Sequence, residues 1–199
     1  MGRPRNDAGL APASDRLRDA FWELVSEVGV AGLSVQRITS RAGLNRSTFY
    51  RCFNSLAELA GEAEEEVIPV YIPGMVLAGL ERGDLTSVMG EVVVSRGQAF
   101  DRLCLLLSSK GDPSFVRRVK DAMIGAWVDA LGGDLEQLDE ATRTALEFLV
   151  SGAAGALAYR GERGLRVDAL TVVQSWGPLL AAPVVANLRE QIAVSRVGK

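Results

Sequence analysis

The 199-residue chain contains no histidine, and that absence removes a large part of enzyme chemistry. Ser-His-Asp triads, Cys-His dyads and the usual histidine-rich metal sites all need an imidazole. Cysteine is scarce as well. Cys52 and Cys104 are the two present, and neither sits in a Cys-x-x-Cys, so no disulfide framework is expected. Long apolar runs are missing: the most apolar stretch, Ile68 to Leu80, holds Pro69 and Pro73 and is too short to span a bilayer. The start, Met1-Gly2-Arg3-Pro4-Arg5-Asn6-Asp7, lacks the apolar core of a secretory signal, and Asn6 breaks the Met-Gly myristoylation pattern. A soluble, cytoplasmic protein with no membrane partner is the expectation. No Gly-rich phosphate loop stands in for the missing imidazoles. Charged pairs such as Glu136/Glu140 and Asp139/Arg143 lie at helical spacing and read as solvated faces and ion pairs. Neither enzyme activity, a metal nor a cofactor is expected.

What is present is enough apolar residue, 48% with mean hydropathy +0.13, to build a sizeable core. The net charge of −3 hides an asymmetry. Up to residue 53 there are eight arginines against five acids, an excess of +3; the remainder carries 14 basic and 20 acidic residues, an excess of −6. A basic head on an acidic body suits a DNA-reading domain joined to a separate module, although +3 is a modest excess.

Hydrophobic periodicity is helical nearly throughout, and no β alternation stands out, so the fold class is all-α. Leu17, Ala20, Phe21, Leu24, Val25 and Val28 recur at three- and four-residue steps, the stripe of an amphipathic helix. Ser14 is placed to cap it, and Gly29 and Gly32 to end it. Ser34 then caps a short helix from Val35 to Ala42, Gly43 supplies a sharp turn, and Asn45 caps a second short helix from Arg46 to Cys52. Ser55 and Glu58 stand at capping-box spacing and open a fourth helix. Weaker stripes predict helices near 84–108, 114–131, 138–161, 168–181 and 183–197. Pro69, Pro73, Pro178 and Pro183 are expected to kink or end helices.

Three short helices with a glycine turn between the second and third describe a tri-helical DNA-binding head. Leu44, Phe49 and Phe53 are expected to anchor the third helix against Phe21, Leu24 and Ile38. That leaves Asn45, Arg46, Ser47, Thr48 and Tyr50 at its groove-entering end. Arg46 is suited to guanine O6/N7, worth roughly 1–3 kcal/mol of discrimination if bidentate. The hydroxyls of Thr48 and Tyr50 suit phosphate, which fixes register without reading sequence. Free amides at the starts of the two short helices add anion affinity.

The run Ser34-Val35-Gln36-Arg37-Ile38-Thr39-Ser40-Arg41-Ala42-Gly43-Leu44-Asn45-Arg46-Ser47-Thr48-Phe49-Tyr50-Arg51-Cys52-Phe53 resembles the signature of the TetR family of transcriptional regulators. The resemblance covers about residues 14–60. It implies a homodimeric regulator of double-stranded DNA, usually a repressor, released by a small-molecule effector bound in a C-terminal domain. By position, Ser34, Gln36 and Arg37 match residues that commonly touch phosphate or base edges, and Arg46, Ser47, Thr48 and Tyr50 match the recognition helix. Two departures stand out: Leu56 occupies the place of a lysine that often contacts phosphate, and Cys52 that of a common histidine. Losing one phosphate contact flattens the salt dependence of affinity by about one unit of slope. For Arg3 and Arg5 two readings stand, a minor-groove arm or a plain terminus that raises local positive charge. Domains of 1–54, the DNA-binding head with its arm, and 55–199, an effector-binding and dimerisation domain, are expected.

Beyond the head, the small-residue stretch from Leu149 to Leu157 is either a dimer seam or an internal helix crossing. As a seam it would enlist Leu149, Gly152, Ala156, Val172, Trp176 and Leu180. The large apolar residues Tyr71, Met75, Met89, Phe100, Cys104, Met123, Trp127 and Phe148 are either plain core or, together, the lining of an apolar ligand cavity. Arg96 or Arg102 would then meet an acidic ligand, or else stay in solvent. Cys104 reads as a small core residue rather than a redox sensor. The competing function is a small-molecule-binding or interaction protein whose helix-turn-helix is vestigial, a reading that Leu56 favours.

Overall fold

The computed structural model describes residues 11–67, 72–168, 171, 175 and 182–197. The described chain is helical, with no strand among the described residues. Its helices are α1 Ala13–Val28, α2 Val35–Ala42, α3 Arg46–Cys52, α4 Leu56–Val67, α5 Ile72–Arg82, α6 Leu85–Leu107, α7 Pro113–Ala130, α8 Glu140–Glu162 and α9 Ala182–Val197. The chain divides into two units, 1–63 and 64–199, so the first two turns of α4 go with the head.

Local chemistry explains most helix starts. The side-chain oxygens of Ser34, Asn45, Asp112 and Asp139 accept from backbone N–H groups in the first turns of α2, α3, α7 and α8, supplying partners for amides with none inside the helix. At α4 the Ser55 hydroxyl accepts from the Glu58 N–H at 3.1 Å, and the Glu58 carboxylate accepts from the Asn54 N–H at 2.6 Å. The start of α1 differs from expectation. Its cap position is Pro12 with no side-chain bond, while the Ser14 hydroxyl donates to Asp15 at 3.4 Å.

The prolines differ as well. Pro73 and Pro183 lie in the first turns of α5 and α9, where a missing N–H costs nothing because it would have had no intrahelical partner. Neither ends a helix, and Pro69 and Pro178 lie outside the described residues. The break in a long helix falls instead at Arg96, whose φ of −136° and ψ of 31° interrupt α6. Just before it the Ser95 hydroxyl donates to the Glu91 carbonyl at 2.7 Å, and Gly97 follows. Serine back-bonding beside a glycine is a known cause of helix bending. Of the expected 168–181 helix, only Asp168, Thr171 and Ser175 are among the described residues.

In the C-terminal unit Leu77, Leu80, Trp127, Leu146, Val150 and Leu188 belong to one buried cluster drawn from α5, α7, α8 and α9. The Trp127 indole N–H donates to the Pro73 carbonyl at 2.9 Å, fixing a large apolar side chain by its polar end. The α6–α8 crossing is tight at one point: a Cβ on Gly161 would lie 2.2 Å from the Cys104 carbonyl oxygen. Cys104 is fully buried there, and burial pushes its thiol up to about 11, which suits a core residue and not a reactive thiolate.

Candidate nucleic-acid interface

Helices α1, α2 and α3 pack on one another around Leu17, Phe21, Ile38, Phe49 and Phe53, all fully or almost fully buried. Phe49 packs edge-on to Tyr50 and tilted against Phe53, with ring centroids 5.4 and 5.8 Å apart. The turn between α2 and α3 depends on Gly43, which takes φ +64°, a left-handed conformation costly for residues with a Cβ. Arg16 closes the same turn by donating to the Ala42 carbonyl and, at 3.5 Å, to that of Gly43. No sequence signal marked Arg16, because a basic residue in the first turns of an amphipathic helix reads as solvent-facing.

With its back anchored, α3 turns a polar edge outward. Arg46, Ser47 and Tyr50 are exposed, Tyr50 at 46%. The Arg46 guanidinium stacks 5.5 Å from the Tyr50 ring and donates to its hydroxyl at 3.2 Å. Holding a long arginine against an aromatic face reduces the rotamer freedom it must lose on meeting DNA. Asn45 works chiefly as the cap: its Oδ1 accepts from the Thr48 N–H, the Thr48 hydroxyl and the Ser47 hydroxyl.

Thr48 departs from expectation. It is 7% exposed, and its hydroxyl donates to Asn45 and accepts from Arg51 at 3.1 Å, so it braces α3 and is not offered to phosphate. That bond places the exposed Arg51, a candidate to make up for the lysine absent at Leu56, beside the same edge. On α2, Ser34 and Gln36 are exposed, Ser34 serving as cap. Arg37 is also exposed and donates to the Gly32 carbonyl at 2.7 Å. Arg41 is held by Glu23 and Glu27 at 3.0 and 2.7 Å. Hydrogen bonding from Arg41 keeps the Glu27 carboxyl below its ordinary value. Arg3 and Arg5 lie outside the described residues.

Residues 17–63 match the family model described as bacterial regulatory proteins, tetR family, a stretch that ends where the head ends. The head is a TetR-family helix-turn-helix domain. A head of this kind supports a DNA-binding transcriptional regulator. Comparison with curated proteins gives no match. Among the described residues no helix is long and apolar enough to cross a membrane, and no cluster of potential metal ligands occurs.

The C-terminal unit holds a partly open apolar cavity of about 120 Å³ between α5, α6, α7 and α8. Met89, Phe100, Met123 and Trp127 line it, together with Arg96. Cys104 lies in a buried cluster with Phe100 and Val92, and Met75 packs against that cluster; neither is in the wall. Tyr71 lies outside the described residues.

Two expectations on α8 are corrected. Phe148 is 65% exposed and cannot line the cavity, whereas Leu149 is 3% exposed and does line it. The helix presents Leu146, Leu149, Val150, Ala153, Ala154 and Leu157 inward. The opposite stripe, Phe148, Gly152, Gly155 and Tyr159, is exposed. The small-residue stretch has no clear edge between apolar and polar faces, so Phe148 and Leu149 fall on each other's expected faces, while Gly152 is on the exposed one. Ala156 is part-buried, and Val172, Trp176 and Leu180 lie outside the described residues.

Proposed function

We propose that this regulator is a homodimeric, cytoplasmic repressor whose two heads hold a palindromic operator and release it when a small apolar molecule occupies the C-terminal cavity. The observation that carries the DNA reading is α3 itself: Phe49 is fully buried on one side while Arg46, Ser47 and Tyr50 face solvent on the other. A recognition helix needs that division, since only an anchored rod can hold side chains in register with base edges. Arg46 is assigned to guanine O6/N7. Ser34, Gln36, Arg37, Ser47, Tyr50 and Arg51 are assigned to phosphates and groove edges, and Arg3 and Arg5 to the flanking groove.

One helix of seven residues supplies few contacts, so two heads on half-sites about 34 Å apart are required. The seam we assign is the outward stripe of α8. A Cβ added at Gly152 or Gly155 meets nothing within 4 Å, which leaves room for a helix of a second copy, and Phe148 and Tyr159 supply apolar area on the same face. The competing reading, an interaction protein with a vestigial head, draws on Leu56 in place of lysine.

Fluorescence anisotropy on the DNA flanking the protein's own coding region separates the two. Binding of two protomers per site, with affinity falling steeply as salt rises, supports the regulator. No binding at low salt contradicts it and favours the vestigial head. A promoter fusion to the same fragment tests repression: expression should fall when the protein is supplied.

A further inference from the structure

Helix α3 carries two arginines, and each is held by a neighbour on the same helix. Arg46 lies against the Tyr50 ring and donates to its hydroxyl, which keeps it over the middle of the outward edge. Arg51 leans the other way. Its Nη2 donates to the Thr48 hydroxyl at 3.1 Å, and Thr48 is buried with Phe49 on the packed side of the helix. Five residues of α-helix separate the two arginines by about 140° around the axis and about 7.5 Å along it. They therefore bound the exposed arc on opposite flanks, with Ser47 and Tyr50 between them.

A threonine hydroxyl has one proton to donate and two lone pairs. At Thr48 the proton goes to Asn45 Oδ1 at 2.9 Å, the same oxygen that accepts from the Thr48 N–H at 2.8 Å. With its proton committed to the cap, the hydroxyl turns its lone pairs toward Arg51. Capping needs only the backbone bond, so the hydroxyl is surplus to closing the helix. Its effect is on Arg51, a long exposed side chain that would otherwise sample many rotamers and lose them on binding. The guanidinium has five donors in a rigid fork, and the bond to Thr48 leaves others for a phosphate. A helix in the major groove meets base edges along the middle of its outward arc and the sugar-phosphate walls along its flanks.

Resting on the DNA reading above, which assigns Arg51 to the phosphates, we infer that Thr48 is a positioning residue for that contact. Its buried hydroxyl, turned by the Asn45 cap, aims the Arg51 guanidinium at the phosphate wall of the groove. The two arginines then divide recognition. Arg46 selects sequence, and Arg51 supplies affinity that is independent of sequence and depends on Thr48.

The test is anisotropy across a salt series with the full-length protein, on the fragment flanking the coding region and on a duplex of scrambled sequence. The variants are Arg51→Gln, Thr48→Val, Thr48→Ser and Thr48→Val combined with Arg51→Gln. Arg51→Gln should flatten the slope of log affinity against log salt by about one unit per head, equally on both duplexes. Thr48→Val removes a hydroxyl and no charge, yet should reproduce most of that change, and Thr48→Ser should restore the wild-type slope. In the Arg51→Gln background, Thr48→Val should leave the slope where it is. If circular dichroism shows Thr48→Val unfolded, Thr48→Ala removes the same hydroxyl and carries the same comparison. Lower affinity at unchanged slope in the Thr48 variant means that the hydroxyl serves only the fold, and overturns the inference. A slope change of equal size in both backgrounds overturns it too, as does an unchanged slope in Arg51→Gln. If the wild-type protein binds neither duplex at low salt, the DNA reading itself falls and takes this inference with it.

Discussion

The two units of the chain use arginine in contrasting ways. In the head, Arg18 is ion-paired to Asp15 and Glu62, Arg41 to Glu23 and Glu27, and Arg16 fastens the turn at Ala42 and Gly43. These cations hold the surface of a small tri-helical domain together, and Arg37, Arg46 and Arg51 remain on its exposed side. In the C-terminal unit one arginine goes inward instead. Arg160 is buried, bonded to Asp101 at 2.6 Å and to the Val167 carbonyl at 2.8 Å, whereas Arg96 is half-buried at the edge of the cavity. The comparison teaches that charge counted along a sequence is a poor measure of charge offered to a partner. The +3 excess of the head includes arginines already committed to its own carboxylates, so DNA affinity depends on a few positioned side chains more than on net charge.

Substitutions that act on one unit sharpen this contrast. Phe49→Ala carries the largest expected effect. Removing a fully buried ring costs about 3–5 kcal/mol, more than a domain of this size can easily lose. DNA binding should vanish together with the helical signal of the head, while a second calorimetric transition from the C-terminal unit remains near its wild-type temperature. Gly161→Ala comes next and acts on the other unit. Its Cβ would meet the Cys104 carbonyl, and forcing α6 from α8 costs about 1–3 kcal/mol. The transition of the C-terminal unit should fall, with the intrinsic affinity of the head for DNA unchanged at a temperature where both variants are folded.

The head was legible in the sequence because its signals are local. Ser34, Gly43 and Asn45 specify two caps and a left-handed turn within a dozen residues, and each does in the structure what its chemistry dictates. Thr48 was misread because a hydroxyl near an exposed edge looks alike whether it faces solvent or its own cap. The C-terminal unit was legible only as helices and breaks. Which face of α8 points inward depends on contacts with α6, α7 and α9 that are distant in sequence, and a stretch as rich in glycine and alanine as 149–157 carries little facial contrast. The break at Arg96 had no proline to announce it.

A smaller effect tests the departure at Leu56. Leu56→Lys should steepen the dependence of log affinity on log salt by about one unit if the side chain reaches phosphate, as measured by anisotropy across a salt series. An unchanged slope would show that this position does not face DNA. The smallest effect concerns acid. A backbone hydrogen bond from Thr142 is the main reason the Asp139 carboxyl is held below its ordinary 3.8, and hydrogen bonding from Ser114 does the same for Asp112. Since their folded values are depressed, the caps contribute fully above the unfolded value and lose that contribution as pH falls through the folded one. The stability difference between wild type and Asp139→Ala should therefore be constant from neutral pH to about 4 and shrink below it, as followed by denaturant titration at each pH.

The central claim is that the outward edge of α3 enters the major groove with Arg46 on a guanine. Dimethyl sulfate interference on an operator fragment tests it directly, because the reagent methylates guanine N7 in the major groove and adenine N3 in the minor groove. Methylation of one guanine N7 in each half-site should block the wild-type protein. The same mark should be tolerated by Arg46→Ala, whose affinity for unmodified DNA is lower by about 1–3 kcal/mol. Interference confined to adenine N3, or a pattern identical for wild type and Arg46→Ala, would contradict the account.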